Sequence, residues 1–346
     1  MTQVITGIQQ VGIGCANVHE HWKWYRKAFG MDVPVFDDEA EAKLMTRYTG
    51  GEVHKRQAAL AMNLSGGGGF EIWQFKSRTP VAPSFKPQMG DLGINVIKMK
   101  TRDIDRLKQY YKGADIDFVE HGSPDGGKAL WVNDPWGNPF QVVKGDSWFS
   151  SRNQPTGGVC GVIIGVSDID KALPLYTKAL GFEKVVYDQS GAFEDLGSNE
   201  QFRRVLLRKP QKDAGAFSKL LGHIDVELVQ CLDRTPKNIF EGRYWGDLGY
   251  IHVCFDTINM DALGARLKEQ GYEFTIDSAN SFDMGEAAGR FSYIVDPDGT
   301  WIEFVQTHRV PVLKKFGWYI NLKDQANPKP LPNWMIKAMG LNRIKD

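Results

Sequence analysis

Apolar positions along the chain follow two periods, and these alternate in a fixed order. Val18, Trp22, Tyr25 and Phe29 fall at helical spacing behind Asn17, a good N-cap, and Gly30 follows as a stop. Ile104, Leu107 and Tyr111 form a second stripe, predicting a helix from about Asp103 to Lys112 that stops at Gly113. A third helix is predicted from about Asp168 to Leu180, closed by Gly181, with Pro174 kinking it or sitting in its first turns. The fourth runs from about Met260 to Gln270 and closes at Gly271. Between the helices the period shortens to that of strands. Phe291-Ser292-Tyr293-Ile294-Val295 and Thr300-Trp301-Ile302-Glu303-Phe304-Val305 flank Asp296-Pro297-Asp298-Gly299, a type I turn sequence, and Asp134-Pro135-Trp136-Gly137 is its counterpart earlier in the chain. Four segments therefore share one order: a short strand, a helix closed by glycine, then more strands.

The two halves of the chain read as copies. Phe70-Glu71-Ile72-Trp73-Gln74 is followed by Arg78-Thr79-Pro80, and Val226-Glu227-Leu228-Val229-Gln230 by Arg234-Thr235-Pro236. The offsets agree, since 227 − 71 and 234 − 78 are both 156. Gly90-Asp91-Leu92-Gly93 recurs as Gly246-Asp247-Leu248-Gly249 at the same offset, 246 − 90 = 156. Three matches in one register are an internal repeat.

Composition narrows the function classes. The 346 residues carry 42 Lys+Arg and 42 Asp+Glu, so no net charge steers the chain toward nucleic acid or an anionic membrane. No apolar run approaches the roughly 18 residues that span a bilayer, and the opening residues lack a basic segment followed by an apolar stretch. Cys15, Cys160, Cys231 and Cys254 stand singly, without disulfide or ligand spacing, which predicts reduced cysteines and a cytoplasmic setting.

Strand-helix-hairpin units of this length resemble the vicinal-oxygen-chelate superfamily, which includes glyoxalase I, extradiol dioxygenases and bleomycin-resistance proteins. Tyr176 to Phe182, its sibling Tyr25 to Met31, and Asp296 to Glu303 carry the resemblance, which spans about residues 5 to 308. It implies an α+β fold of four βαβββ modules forming two cupped mixed sheets, followed by a C-terminal helical tail. Residues 1-150 hold the first pair of modules, 151-309 the second, and 310-346 the tail.

In that superfamily the metal ligands stand on the first and last strands of each module. The corresponding residues here are Gln10 and Glu71, Val96 and Gln141, Gly161 and Glu227, and His252 and Glu303. The resemblance to glyoxalase I fused into one chain implies pairing of module 1 with module 4 and of module 2 with module 3. Gln10, Glu71, His252 and Glu303 then share one cup, similar to the Gln-Glu-His-Glu set of the eukaryotic type of glyoxalase I. Val96, Gln141, Gly161 and Glu227 fall in a degenerate second cup. The neighbours of the first set are apolar, among them Val11, Ile72, Val253 and Phe304. A carboxylate there is costly unless paired or metal-bound. Each residue alone also fits a satisfied core position; the joint placement favours one divalent metal among Zn, Ni, Co, Mn and Fe, with two positions left open.

The implied function is that of a metal-dependent lyase or isomerase of the glyoxalase type. It would transfer a proton through a metal-chelated enediolate of a small substrate with vicinal oxygens. Glu303 is the first candidate for the base and Glu71 the alternate. Residues that hold glutathione in glyoxalase I do not carry over: Gly14 and Phe75 stand where that family has Arg and Asn, and Gly285-Glu286-Ala287-Ala288 replaces its basic residues. An apolar or aromatic substrate is expected instead. The alternatives are an extradiol-type dioxygenase, against which Gly161 replaces a needed His, and a non-enzymatic small-molecule binder of the antibiotic-resistance kind. His19, His21, His54, His121, His223 and His308 lie off the ligand positions and read as surface or satisfied residues. Gly66-Gly67-Gly68-Gly69 reads as a turn. Pro328-Lys329-Pro330-Leu331-Pro332 reads as a stiff linker before a helix capped by Asn333, serving as a docked tail, a lid or a dimer contact. Partners are limited to a small molecule, with a monomer or homodimer expected.

Overall fold

A computed structural model of the chain describes residues 5–345 apart from 153, 212, 280–281, 284–287, 314–316 and 323–328. Pro328 and residues 285–287, named above, lie outside the described residues. The first module comprises β1 (Ile5–Gly14), α1 (Val18–Phe29), β2 (Val33–Glu41), β3 (Lys55–Met62) and β4 (Gly69–Phe75). The second comprises β5 (Gly93–Thr101), α2 (Ile104–Gly113), β6 (Val119–Gly122), β7 (Lys128–Asn133) and β8 (Pro139–Lys144). The third runs through β9 (Val159–Gly165), α3 (Ile169–Pro174), β10 (Lys184–Ala192), β11 (Gln201–Lys209), α4 (Ser218–Leu221) and β12 (Ile224–Cys231). The fourth has β13 (Gly249–Thr257), α5 (Met260–Glu269), β14 (Ile276–Asp277), β15 (Phe282–Asp283), β16 (Ala288–Val295) and β17 (Trp301–Leu313). β18 (Trp318–Asn321) and α6 (Asn333–Ala338) follow.

These strands form two curled mixed sheets. A ten-stranded sheet takes the order β14-β16-β17-β13-β1-β4-β3-β2, with β15 and β18 attached beside it, and so joins the first module to the fourth. An eight-stranded sheet, β10-β11-β12-β9-β5-β8-β7-β6, joins the second to the third. In each, the first strands of two modules meet antiparallel at the centre, and each runs parallel to the last strand of its own module.

The helices pack between the sheets in one shared core. Ile8, Val11 and Ile13 of β1, Phe29 of α1, Phe140 of β8, Phe182 and Phe255 all belong to it. Phe29 lies 4.6 Å from Phe140, and Phe182 lies 5.7 Å from Phe255, so the helix segment of one sheet's module touches a strand of the other sheet. The opposite face of the ten-stranded sheet is lined by a second apolar cluster that includes Leu60, Trp73, Trp245, Phe291 and Tyr293.

Local chemistry sets the helix ends, with three departures from expectation. Asn17 accepts from the amides of His19 and Glu20, and Gly30 closes α1 at φ 62°. α2 runs through Gly113 to an Ala114 cap, and Asp115 takes the left-handed turn at φ 54°, a conformation Asp tolerates. Pro174 does more than kink its helix. It ends the α-type turns, and residues 175–179 continue as a π turn in which the Leu180 amide reaches back to the Leu175 carbonyl. Asn333 is the first residue of α6 rather than its cap; Pro332 holds the cap position and gives no side-chain bond. The Gly66–Gly69 run is more than a turn. The amides of Gly67 and Gly68 bond Leu220 and Val159, and a Cβ at Gly67 would lie 2.6 Å from the backbone of Gly158. Among the described residues no helix is long and apolar enough to cross a membrane, and all four cysteines are free and buried.

Candidate metal centre

Two β-bulges aim the site. β1 slips register between Ile8 and Gln10 where it pairs with β13. Ile8 and Val11 therefore both face the helices, while Gln9 and Gln10 both reach toward β17 on the open face. β13 slips at the matching place, between Tyr250 and Val253, and His252 faces the same cup. Gln10 is opposite Cys254, and Cys254 is opposite Glu303, so three strands bring their functional positions into one row. Glu71 of β4 stands beside Gly12 of β1.

The donor atoms of Glu71, His252 and Glu303 lie within 4.8 Å of one another. His252 Nε2 is 2.9 Å from Glu303 Oε2 and 3.4 Å from Glu71 Oε2. Despite these distances neither imidazole nitrogen is aligned for a hydrogen bond, and both are buried. Gln10 turns its amide nitrogen to Glu303 Oε2 at 3.4 Å, which leaves its Oε1 buried with no partner. A half-turn of that amide exchanges the two atoms and adds an oxygen to the cluster. Imidazole nitrogens with no aligned partner between two carboxylates, and a buried acceptor without a donor, fit a cation coordinated by all four. Two carboxylates, one amide oxygen and one imidazole form a hard-to-borderline set suited to a divalent ion.

The surroundings hold the cluster rigid. Burial alone would lower the His252 pKa, but Glu303 and Glu71 outweigh it and raise it to about 9. Two carboxylates beside one imidazole thus favour positive charge at this point. Trp245 stacks parallel to the His252 ring at 5.7 Å, and Tyr293 meets it edge-on at 5.6 Å. Gly12 leaves the space for that ring, since a Cβ there would lie 2.5 Å from His252 Cε1. Burial, then the charges of Glu303 and Glu71, push the Tyr293 hydroxyl well above its usual range, and it hydrogen-bonds Glu303. Cys254, raised by the same two causes in the same order, also bonds Glu303.

An apolar pocket adjoins the cluster. Leu60, directly across from Glu71, is one wall; Val305 and Thr307, which follow Glu303 on the same face of β17, are another. Phe217 and Leu221 from the α4 segment and Met339 beyond α6 close it. Its polar members are Gln9 and Thr307, bonded to each other at 3.2 Å, and among the described residues no charged one lines it.

The second set lands in the eight-stranded sheet but carries no such cluster. Glu227 is fully buried and engaged by Lys98 at 2.9 Å, Arg204 at 2.6 Å and Tyr187 at 2.7 Å. Val96 is packed in an apolar cluster with Ile163 and Val229, Gln141 is buried, and Gly161 has no room for a side chain, because its Cβ position falls against the Asp225 carbonyl oxygen. The remaining histidines stay away from the first cluster. His21, for example, stacks on Trp136 at 3.3 Å, and burial lowers its pKa to about 4. Sequence reading missed Gly12, Tyr293, Cys254 and Trp245 as members of the site. The only signal for them was proximity to the chosen ligands or to the repeated Gly-Asp-Leu-Gly phrase.

Residues 159–304 match the family model described as the Glyoxalase/Bleomycin resistance protein/Dioxygenase superfamily. Over that stretch the chain is similar to this superfamily, and as a whole it has the superfamily's fold. Glyoxalase I from Zea mays is similar in structure at TM-score 0.53 and 15% identity, over 87% of this chain and 92% of that one. A single-residue variant of the same maize enzyme gives TM-score 0.54 at 16% identity, covering 87% and 93%. A putative dioxygenase from Bacillus subtilis gives 0.58 at 14%, covering 88% and 86%. At these identities the likeness is one of fold. No curated protein matches the sequence.

Proposed function

We propose that the chain is a metal-dependent enzyme of the glyoxalase type, moving a carbon-bound proton on a small apolar or aromatic substrate with adjacent oxygens. The observation that carries this reading is the convergence of Glu71, His252 and Glu303 on one point beside the partnerless Gln10 Oε1. Gln10, Glu71, His252 and Glu303 would hold the ion, which when bound supplies Lewis-acid stabilisation to negative charge developing on vicinal oxygens. Glu303 is the first choice for the group that takes and returns the proton, and Glu71 the alternate. Tyr293, Cys254 and Gln10 fix the Glu303 carboxylate, while Trp245 and Tyr293 fix the imidazole. The pocket receives the rest of the substrate and excludes water. Glutathione carries two carboxylates and an ammonium, and among the described residues the pocket offers them no charged partner.

Elemental analysis of purified wild type beside His252→Ala and Gln10→Ala tests the reading. One divalent ion per chain, lost in both variants, supports it. Loss in His252→Ala only would move the site to the C-terminal half. No metal in any sample after reconstitution would overturn it. The apolar pocket favours one second reading, a non-enzymatic binder of small molecules. Equal affinity for an aromatic ligand with and without metal would support that instead. An extradiol dioxygenase is disfavoured because Gly161 lies in the other sheet from His252 and Glu303.

A further inference from the structure

The segment after α6 crosses the mouth of the cup. The turn Met339–Asn342 touches both β17, near one side of the ten-stranded sheet, and β2, at its opposite edge. It is fastened at several points. The Leu331 amide bonds the Ala216 carbonyl at 2.9 Å, Ile336 is fully buried, Arg343 forms an ion pair with Asp32, and the Ile344 amide bonds the Asp32 carbonyl at 2.9 Å. These anchors leave Met339 5% exposed and in the pocket wall.

The pocket has a direction. Leu60 stands opposite Glu71, Met62 comes next on the same face, and Leu64 lies beside Gly340 of the strap. β3 ends at Met62 and Leu64 follows in the turn, so this side of the pocket runs from the metal cluster to the strap. Between them the lining is apolar apart from the Gln9–Thr307 pair. A head chelated at the cluster would send an alkyl or aryl arm toward Met339. Methionine is unbranched and adapts to the end of such an arm.

We propose that the C-terminal strap completes the substrate pocket, with Met339 setting how long an apolar arm the site accepts. This rests on the reading that vicinal oxygens bind at Gln10, Glu71, His252 and Glu303. It adds that the substrate is amphiphilic, with a chelating head and an uncharged apolar tail. Met339 is then a specificity-determining residue of the full-length chain, contributed from outside the four modules.

Alkyl hydroxamates test this, because their two adjacent oxygens chelate a metal and their chains can be lengthened one methylene at a time. The series from acetohydroxamate to dodecanohydroxamate would be titrated calorimetrically into zinc-loaded, full-length protein. In wild type each added methylene should raise affinity about threefold to fourfold until the arm meets Met339, and then the gain should stop. Met339→Ala should move that limit to longer chains and Met339→Trp to shorter ones, while Met339→Leu, which keeps the volume, should keep the wild-type profile. Acetohydroxamate reaches no pocket wall and reports on the cup alone. If it binds equally to all four proteins and their chain-length profiles coincide, the strap proposal is overturned and the metal reading stands. If it binds none of the zinc-loaded proteins, the metal reading fails and the strap proposal with it.

Discussion

Lys98 Nζ lies 2.9 Å from Glu227 Oε2, in the eight-stranded sheet, at the register position that Cys254 holds in the ten-stranded one. Lys98 is opposite Gly161 and Gln141, as Cys254 is opposite Gln10 and Glu303. A carboxylate at this place in the fold is buried and needs a cation. In the second cup, side chains supply it: Lys98 and Arg204 balance Glu227 and Asp195. In the first cup no lysine or arginine among the described residues contacts Glu71 or Glu303, and the donors are left converging on one another.

Removing Lys98 should therefore expose what the charge balance is worth. Burial would raise the Glu227 pKa, but Lys98 and Arg204 outweigh it and hold the group at about 2. Its folded value is below its unfolded one. The stability it contributes is present above about pH 4.5 and is lost as pH falls toward 2. Lys98→Met leaves one buried negative charge uncompensated, at a cost of about 3 kcal/mol at pH 7. Urea unfolding at pH 7 and pH 3 should show a gap that is large at the first and narrow at the second. Equal stabilities at pH 7 would mean that the network is not what holds this cup closed.

Gly12→Ala should act on the metal centre without touching a ligand. The added Cβ falls 2.5 Å from His252 Cε1 and 2.6 Å from Nδ1, so the ring must leave its place between Trp245 and Tyr293. Changes that misorient a ligand typically cost 10- to 100-fold in metal affinity. Competition against a zinc chelator should show a loss of about that size, with the far-ultraviolet circular dichroism of wild type retained. Unchanged affinity would remove His252 from the ligand set.

If Glu303 is the proton carrier, its amide variant should separate binding from proton transfer. 2-Hydroxyacetophenone has adjacent oxygens, an aromatic arm and an acidic carbon-bound proton, so its exchange with deuterium oxide can be followed by proton NMR. Glu303→Gln should slow catalysed exchange by about 10²- to 10⁴-fold, the usual contribution of a positioned base. Acetohydroxamate binding to the zinc-loaded variant shows whether the ion is still held. A larger loss in Glu71→Gln than in Glu303→Gln would exchange their roles.

The order of elements was readable because helix caps, turn phrases and apolar periods are local signals, whereas the positions of the candidate ligands were read from the family resemblance. Asn17, Gly30 and the Asp-Pro-x-Gly turns behave as read. The cross-pairing of the modules came from family resemblance, since nothing local specifies which first strands meet. The repeated phrases show why such information is hidden. Arg78 binds Asp247 at 2.5 Å, and Arg234 binds Asp91 at 2.6 Å, so matching motifs meet crosswise between the halves. Sequence exposes the motifs but not their partners. The bulges beside Gln10 and His252 were equally invisible, because a one-residue slip leaves no mark on composition yet reverses which face later residues occupy. Met339 could not be placed, because its role depends on where a distant tail is fastened.

Asp256 offers a pH test of the opposite sign to Glu227. It is buried on β13, two residues beyond Cys254, and burial raises its pKa to about 7, against hydrogen bonds from Thr6 and Gln9 that lower it. The folded value lies above the unfolded one, near 3.8. The protonated acid is therefore the form that folding favours. Its contribution is full below about pH 4, declines as pH rises, and is lost as pH passes 7. Asp256→Asn keeps the shape and removes the charge. The variant should match wild type near pH 4.5 and exceed it at pH 8, by up to ~4 kcal/mol for a shift of this size. Melting temperatures of the two proteins across pH 4.5 to 8.5 give the comparison. Parallel curves would show that Asp256 is ionised throughout, and would point to a cation or water chain reaching it through the polar edge at Gln9 and Thr307.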